Sequence, residues 1–147
     1  MKSQKNIALV AHDHKKAELM EWIKIHKDEL VQHKLFATGT TGVKIEKELG
    51  IEVYKYKSGP IGGDQQIGAA IVGQKIDILF FFWDPLASQP HDPDVKALLR
   101  VAALWDTIVA CNRSSADFII KSSLIDKEYK RNLTSINKYT KERQLEN

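Results

Sequence analysis

The sequence predicts an α/β protein: a three-layer α/β/α sandwich around a five-stranded parallel sheet, read as a single domain over residues 1–147 with a core at 6–120 and a basic tail at 121–147. Three observations carry that expectation. Short apolar or β-branched runs recur along the chain, segments of helical period separate them, and the unusual loops follow the runs rather than precede them. At 147 residues the chain can bury one substantial core and is short for two.

The runs are NIALVA (6–11), KLFAT (34–38), IEVYKYK (51–57), IDILFFFW (76–83) and TIVACN (107–112). Between the first two, Ala17, Met20, Ile23, Leu30 and Val31 share a helical face, and Asp13 stands where a helix N-cap is expected. TGVKIEKELG then reads as a short helix ended by Gly50. DQQIGAAIVGQ (64–74) and PDVKALLRVAALWD (93–106) supply two more helices, and SSADFIIKS (114–122) starts another. Strands alternating with helices imply right-handed crossovers and a parallel sheet covered on both faces, which is why the fourth run is apolar almost throughout.

In open parallel sheets ligands bind beyond the carboxyl ends of the strands. The stretches there are HDHKK, TGTTG, SGPIGGD, DPLASQPHDPD and NRSS, all polar or rich in glycine, whereas the opposite turns (VQHK, ELG, GQK) carry no comparable chemistry. All the candidate chemistry therefore falls on one rim.

Composition narrows the function classes. The chain is 43% hydrophobic and 28% charged, and its longest apolar run is broken by Asp77 and far short of a bilayer span. The N-terminal apolar stretch Ile7 to Ala11 meets His12 and Asp13 too soon for a secretory signal, so a cytoplasmic protein is expected. Cys111 is the lone cysteine and is read as a small hydrophobe. The net charge of +3 sits wholly in the tail, where seven Lys/Arg face four Asp/Glu. That tail reads either as a solvated, partly frayed end or as a source of a basic side chain for an anionic ligand or a neighbouring subunit. No basic helix interleaved with aromatics suggests nucleic-acid binding.

ATGTTG (37–42) and SGP (58–60) offer small hydroxyls and bare backbone N–H groups at strand-to-helix turns, an arrangement that suits a phosphate dianion. Glycines that merely permit tight turns are the alternative. Lys16 lies one helical turn beyond His12, so both can face the rim. Neither a dinucleotide fingerprint nor a P-loop is present, so the ligand is expected to be small. Asp64, after Gly62 and Gly63, reads either as a general base brought close to a ligand or as an N-cap. His91 and Asp94, with Asp84 before them, form an acid/base or proton-shuttle set, although Asp94 could also cap the following helix. A metal site built from His12, His14, His91 and nearby aspartates lacks recognisable ligand spacing. His26 and His33 are expected at the surface, Trp22 and Trp105 in the core or an interface.

A base, a histidine and a phosphate grip without a cofactor motif point to proton abstraction beside a carbonyl. At IALVAHDHKK, ATGTTG, SGPIGGDQQIGA and FFWDPLASQPHDPDVKALLR the chain resembles the methylglyoxal synthase family, over residues 6–120. The resemblance implies a homohexameric lyase that converts dihydroxyacetone phosphate to methylglyoxal and inorganic phosphate, needs no metal or organic cofactor, and is inhibited by phosphate. It assigns Asp64 as the base, His91 with Asp94 as the group handling the enediolate oxygens, and His12, Lys16, Thr38, Gly39, Thr40, Thr41, Ser58 and Gly59 as substrate contacts. Asp13 and Asp84 are read as supporting residues, and Arg143 as the match of a C-terminal arginine that meets phosphate at a subunit boundary. Ile108, Cys111 and Arg113 depart from the family's fifth strand and loop. A phosphate-sensing regulatory domain of similar fold and a triose phosphate isomerase are the competing readings.

Overall fold

The computed structural model describes residues 1–87 and 92–145. Among them, β1 (Asn6–Ala11), β2 (Lys34–Ala37), β3 (Tyr54–Lys55), β4 (Ile78–Phe82) and β5 (Ile108–Ala110) form one sheet in the order β3-β2-β1-β4-β5. Every pairing is parallel, with Ile7 opposite both Leu35 and Ile78, and Ile78 opposite Ile108. The expected fold class is therefore observed. β1 and β4 are neighbours although two strands separate them in sequence, so the chain winds outward from β1 and then back past it. That reversal opens a crevice at the carboxyl ends of β1 and β4.

Period-two alternation divides the core. Ile7, Leu9, Ile78, Phe80 and Phe82 face one side, packed against α1 (Lys16–Ile25), α2 (Lys27–Leu30), α3 (Gly39–Leu49) and α6 (Arg113–Ile120). Ala8, Val10, Leu79 and Phe81 face the other, against α4 (Gly63–Val72) and α5 (Asp92–Leu104). On α1 the buried stripe is Leu19, Met20, Trp22 and Ile23, each large side chain contributing about 1.5–3 kcal/mol by leaving water. Ala17, expected on that face, is exposed in the first turn of α1, and Val31 is exposed because the helix breaks at His26 and α2 starts on a new phase.

Trp22 sits in the core as expected, edge-on to Phe80, but His26 and His33 are buried rather than superficial. Each has a polar partner that makes burial tolerable. His26 Nε2 lies 3.0 Å from Asp117 Oδ1, which also accepts from Trp22 Nε1 at 2.7 Å. His33 Nδ1 accepts from the Lys5 backbone N–H.

The tail is not simply frayed. Lys5, 1% exposed, donates from its ammonium to the carbonyls of Lys2, Ser3 and Lys127, and burial pushes its pKa down. Met1 and Tyr129 exchange backbone hydrogen bonds, and the Asn132 N–H reaches Asp106. Beyond this lacing the chain forms α7 (Thr134–Leu145), an exposed and predominantly polar helix that the sequence reading did not anticipate. The tail walls a cavity of about 1070 Å³ beneath the amino ends of the strands. The end of the sheet whose turns carry no comparable chemistry thus holds a larger cavity than the end where the candidate chemistry lies. No helix among the described residues is long and apolar enough to cross a membrane.

Candidate active site

The loops after β1, β2 and β3 converge on a small cavity of about 60 Å³ at the crevice. Its walls are Val10, Ala11, His12, Asp13, Lys16, Thr38, Thr40, Gly59, Pro60, Asp64 and Phe81. His12 arrives directly from β1, whose ladder its N–H prolongs by donating to the Phe82 carbonyl at 3.2 Å. Asp13 does not cap a helix as expected. It opens a single 3-10 turn, Asp13–Lys15, preceded by His12, and accepts instead from Lys16 Nζ at 2.6 Å. That contact holds the exposed Asp13 carboxyl below its usual range. Lys16 Nζ also donates to Thr40 Oγ1 at 3.1 Å, so the first and second loops meet through one ammonium.

Thr38 precedes α3 without capping it; its hydroxyl lies 3.4 Å from that of Thr41, and both residues are buried. Gly39 fits the interlock of the second and third loops: its N–H donates to the Lys57 carbonyl, and a Cβ would lie 3.2 Å from Ser58 Oγ and from the Tyr56 carbonyl oxygen. Gly39, Thr41 and Ser58 therefore build the cavity from behind rather than line it.

After β3 the chain makes a 3-10 turn at Gly59–Ile61, passes Gly62 at φ +99° and enters α4 at Gly63. Gly62, not Asp64, occupies the position before the helix, which sets aside the N-cap reading of Asp64. The two glycines answer to backbone rather than to ligand: Gly62 needs the left-handed conformation, and Gly63 lies against the Lys57 carbonyl. The glycine on the cavity wall is Gly59, where a Cβ would stand 3.4 and 3.5 Å from the two Asp64 carboxylate oxygens. Asp64 thus lies against a bare stretch of chain on the cavity wall.

Asp64 also lines a second cavity, of about 230 Å³, between α4 and α5, together with Asp94. Asp94 is the third residue of α5 and half-buried, so it does not occupy the cap position. His91 lies outside the described residues. Asp84, buried after β4, stands behind His12: its backbone N–H meets His12 Nδ1 at 3.3 Å. Its carboxylate accepts from the Leu86 N–H and lies 3.2 Å from His14 Nδ1, contacts that hold its pKa below the usual range. Arg143 is on α7 with its guanidinium 5.4 Å from the Tyr139 ring centroid and is not among the lining residues. Arg113 is directed to Glu21 on α1, at 3.4 Å. Among the described residues no group of three or more His, Cys, Asp or Glu side chains could hold a metal ion.

The sequence reading missed Val10, Ala11, Pro60 and Phe81 as cavity residues. Phe81 stands in a wholly apolar run, and only the strand register shows that it faces His12, with ring centroids 5.2 Å apart and planes at 85°.

Residues 18–111 match the family model described as MGS-like domain. A methylglyoxal synthase of Saccharophagus degradans is 60% identical over 141 residues, covering 96% of this chain and 92% of that protein. One from Coxiella burnetii strain RSA 493 is 60% identical over 125 residues, covering 85% and 87%. The crystal structure of methylglyoxal synthase from Elizabethkingia anophelis superposes with a TM-score of 0.90 at 49% identity, covering 96% of this chain and 93% of that one.

Proposed function

The chain belongs to the methylglyoxal synthase family, and from that membership we propose that it is a lyase converting dihydroxyacetone phosphate to methylglyoxal and inorganic phosphate. The observation that carries this reading is that one cavity gathers the Asp64 carboxylate, the Lys16 ammonium, His12 and the hydroxyl-bearing turn that opens α3. A triose phosphate asks for that set: a base for carbon, donors for oxygen and a cationic seat for phosphate.

The phosphate is placed against Lys16, Thr40 and the start of α3, where N–H groups and the helix dipole favour a dianion. Asp64 takes a proton from the hydroxymethyl carbon. The electrons left behind form an enediolate across that carbon and the former carbonyl, and donors already in place stabilise its charge as it develops. Collapse of the enediolate breaks the bond between the third carbon and the phosphate oxygen. Phosphate leaves with the electron pair, and the enol that remains gains a proton at its terminal carbon to become methylglyoxal. His91, with Asp94, is assigned to proton traffic at the enediolate oxygens. Elimination rather than isomerisation requires the carbon–oxygen bond to phosphate to lie along the enediolate π system, so the orientation of the phosphate seat selects the product.

The same reading makes the product phosphate an inhibitor at its own seat, the working form a homohexamer, and the setting the cytoplasm, as a bypass of lower glycolysis. It is tested by following methylglyoxal and free phosphate together for wild type and Asp64→Asn. Equal release by the wild type, with an inert variant that still binds phosphate, supports it. Binding without turnover, or glyceraldehyde phosphate as product, overturns it.

A further inference from the structure

His12 lines the cavity and is held by several contacts. Its backbone N–H is fixed to Phe82, its ring meets Phe81 edge to face, and it is 9% exposed. The Asp84 backbone N–H is directed at its Nδ1 from 3.3 Å. A ring nitrogen can accept a hydrogen bond only through a free lone pair, so Nδ1 carries no proton, and in the neutral ring the proton resides on Nε2. An imidazolium would set two N–H groups against each other across that contact. The donor's position is itself built. Asp84 Oδ1 accepts from the Leu86 N–H at 3.1 Å, while Oδ2 lies 3.2 Å from His14 Nδ1, which fastens the loop after β4 to the loop after β1.

We infer that Asp84 is a positioning residue that holds His12 in its Nε2–H form, so that His12 acts on the substrate as a neutral N–H donor and not as a base. The assignment to substrate rests on the function proposed above; the tautomer does not. The chemistry favours such an arrangement. With Asp64 on the same wall as the proton acceptor, a second base is superfluous, whereas the oxygen that gains charge as the enediolate forms needs a donor. A neutral imidazole serves that purpose without delivering its proton prematurely.

The test is long-range proton–nitrogen correlation spectroscopy on the full chain labelled with ¹⁵N-histidine, at pH 7.5, with His12→Gln supplying the assignment. The wild type is expected to show a bare Nδ1 and a protonated Nε2. Asp84→Ala frees the loop and is expected to give His12 a mixed tautomer signature, with kcat on dihydroxyacetone phosphate lower by about tenfold or more and KM changed less. Asp84→Asn keeps an oxygen for the Leu86 N–H and is expected to restore the tautomer and most of kcat, which a general loss of folding would not allow. A proton on Nδ1 or on both nitrogens in the wild type overturns the inference, as does an unchanged tautomer in a folded Asp84→Ala. Wild type that shows the Nε2–H form but makes no methylglyoxal would count against the enzymatic reading and leave the tautomer standing.

Discussion

A Cβ on Gly63 would fall 2.0 Å from the carbonyl oxygen of Lys57, an obstacle made of backbone that no rotamer change can remove. Gly63→Ala must therefore push the start of α4 off the third loop and carry Asp64, the next residue, with it. The expected result is destabilisation of about 1–3 kcal/mol together with, on the proposed role of Asp64 as base, a fall in kcat/KM of about 100-fold, since a shift near 1 Å at a reacting group has that effect. Gly68→Ala in the same helix is the control. Its Cβ would meet only Leu98 Cδ1, at 3.9 Å, and the substitution should stabilise by about 0.5–1 kcal/mol. Urea denaturation and steady-state kinetics on both variants check the pair.

The tail is fastened by a buried ion pair. Arg131 Nη2 lies 2.9 Å from Asp77 Oδ1, with side chains 5% and 9% exposed, and also donates to the Ile76 carbonyl. Asp77 Oδ2 accepts from the Asn6 N–H, so one carboxylate joins β1, the start of β4 and the tail. Arg131→Met leaves that carboxylate buried with a single remaining donor and should cost about 3 kcal/mol. Adding Asp77→Asn removes the stranded charge and should recover most of the loss. If the single substitution leaves the urea midpoint unmoved, the tail is not fastened there in solution.

The fold was legible because its signals are local. Each strand was marked by a run such as Asn6–Ala11, the core helices by a period that α7 lacks, and Gly50 adopts the left-handed stop expected of it, with φ +63°. The rim was legible because parallel topology sends every strand's end the same way. Residues whose environment depends on distant partners were harder to place. His26 is polar and follows a helix, and nothing near it announces Asp117, 91 residues on. Arg131 and Lys5 look like solvated charges until the tail folds beneath the sheet. Asp13 had the residue type of a cap, but a 3-10 turn placed it beside Lys16 instead. Phe81 was hidden by its own sequence, since in a run apolar throughout, only pairing with β1 shows which side faces the cavity.

His33 should give the protein a pH-dependent stability. Burial holds its pKa below the ordinary 6.5, nearby Lys5 lowers it further, and Asp126 opposes both. The unfolded chain then takes up a proton at a higher pH than the folded one does. Stability is full above pH 6.5, falls as the pH drops through that value, and levels off below the folded pKa. His33→Asn removes the titration while leaving an oxygen near the Lys5 N–H that Nδ1 accepts. The melting temperature of the variant should vary less between pH 8 and 5 than that of the wild type; parallel curves would assign the pH dependence to other groups.

Lys16 is the cation around which the proposed phosphate seat is drawn, and its present partners allow that role to be tested from both sides. Its ammonium bonds Asp13 and Thr40 and keeps 24% of its side chain exposed, so it is oriented without being consumed. Lys16→Met retains the stem and deletes the charge. Loss of one charged hydrogen bond, about 1.5–3 kcal/mol, should weaken inorganic phosphate binding about 10- to 100-fold in calorimetry. Asp13→Asn acts in the opposite sense. Its carboxylate competes with phosphate for the ammonium and repels a dianion, but it is 85% exposed and screened by solvent. Phosphate should therefore bind only about two- to fivefold more tightly, with the gain shrinking as salt is raised. If Asp13→Asn instead weakens phosphate binding, the carboxylate serves to hold Lys16 in place, and the seat depends on the orientation of its cation more than on charge alone.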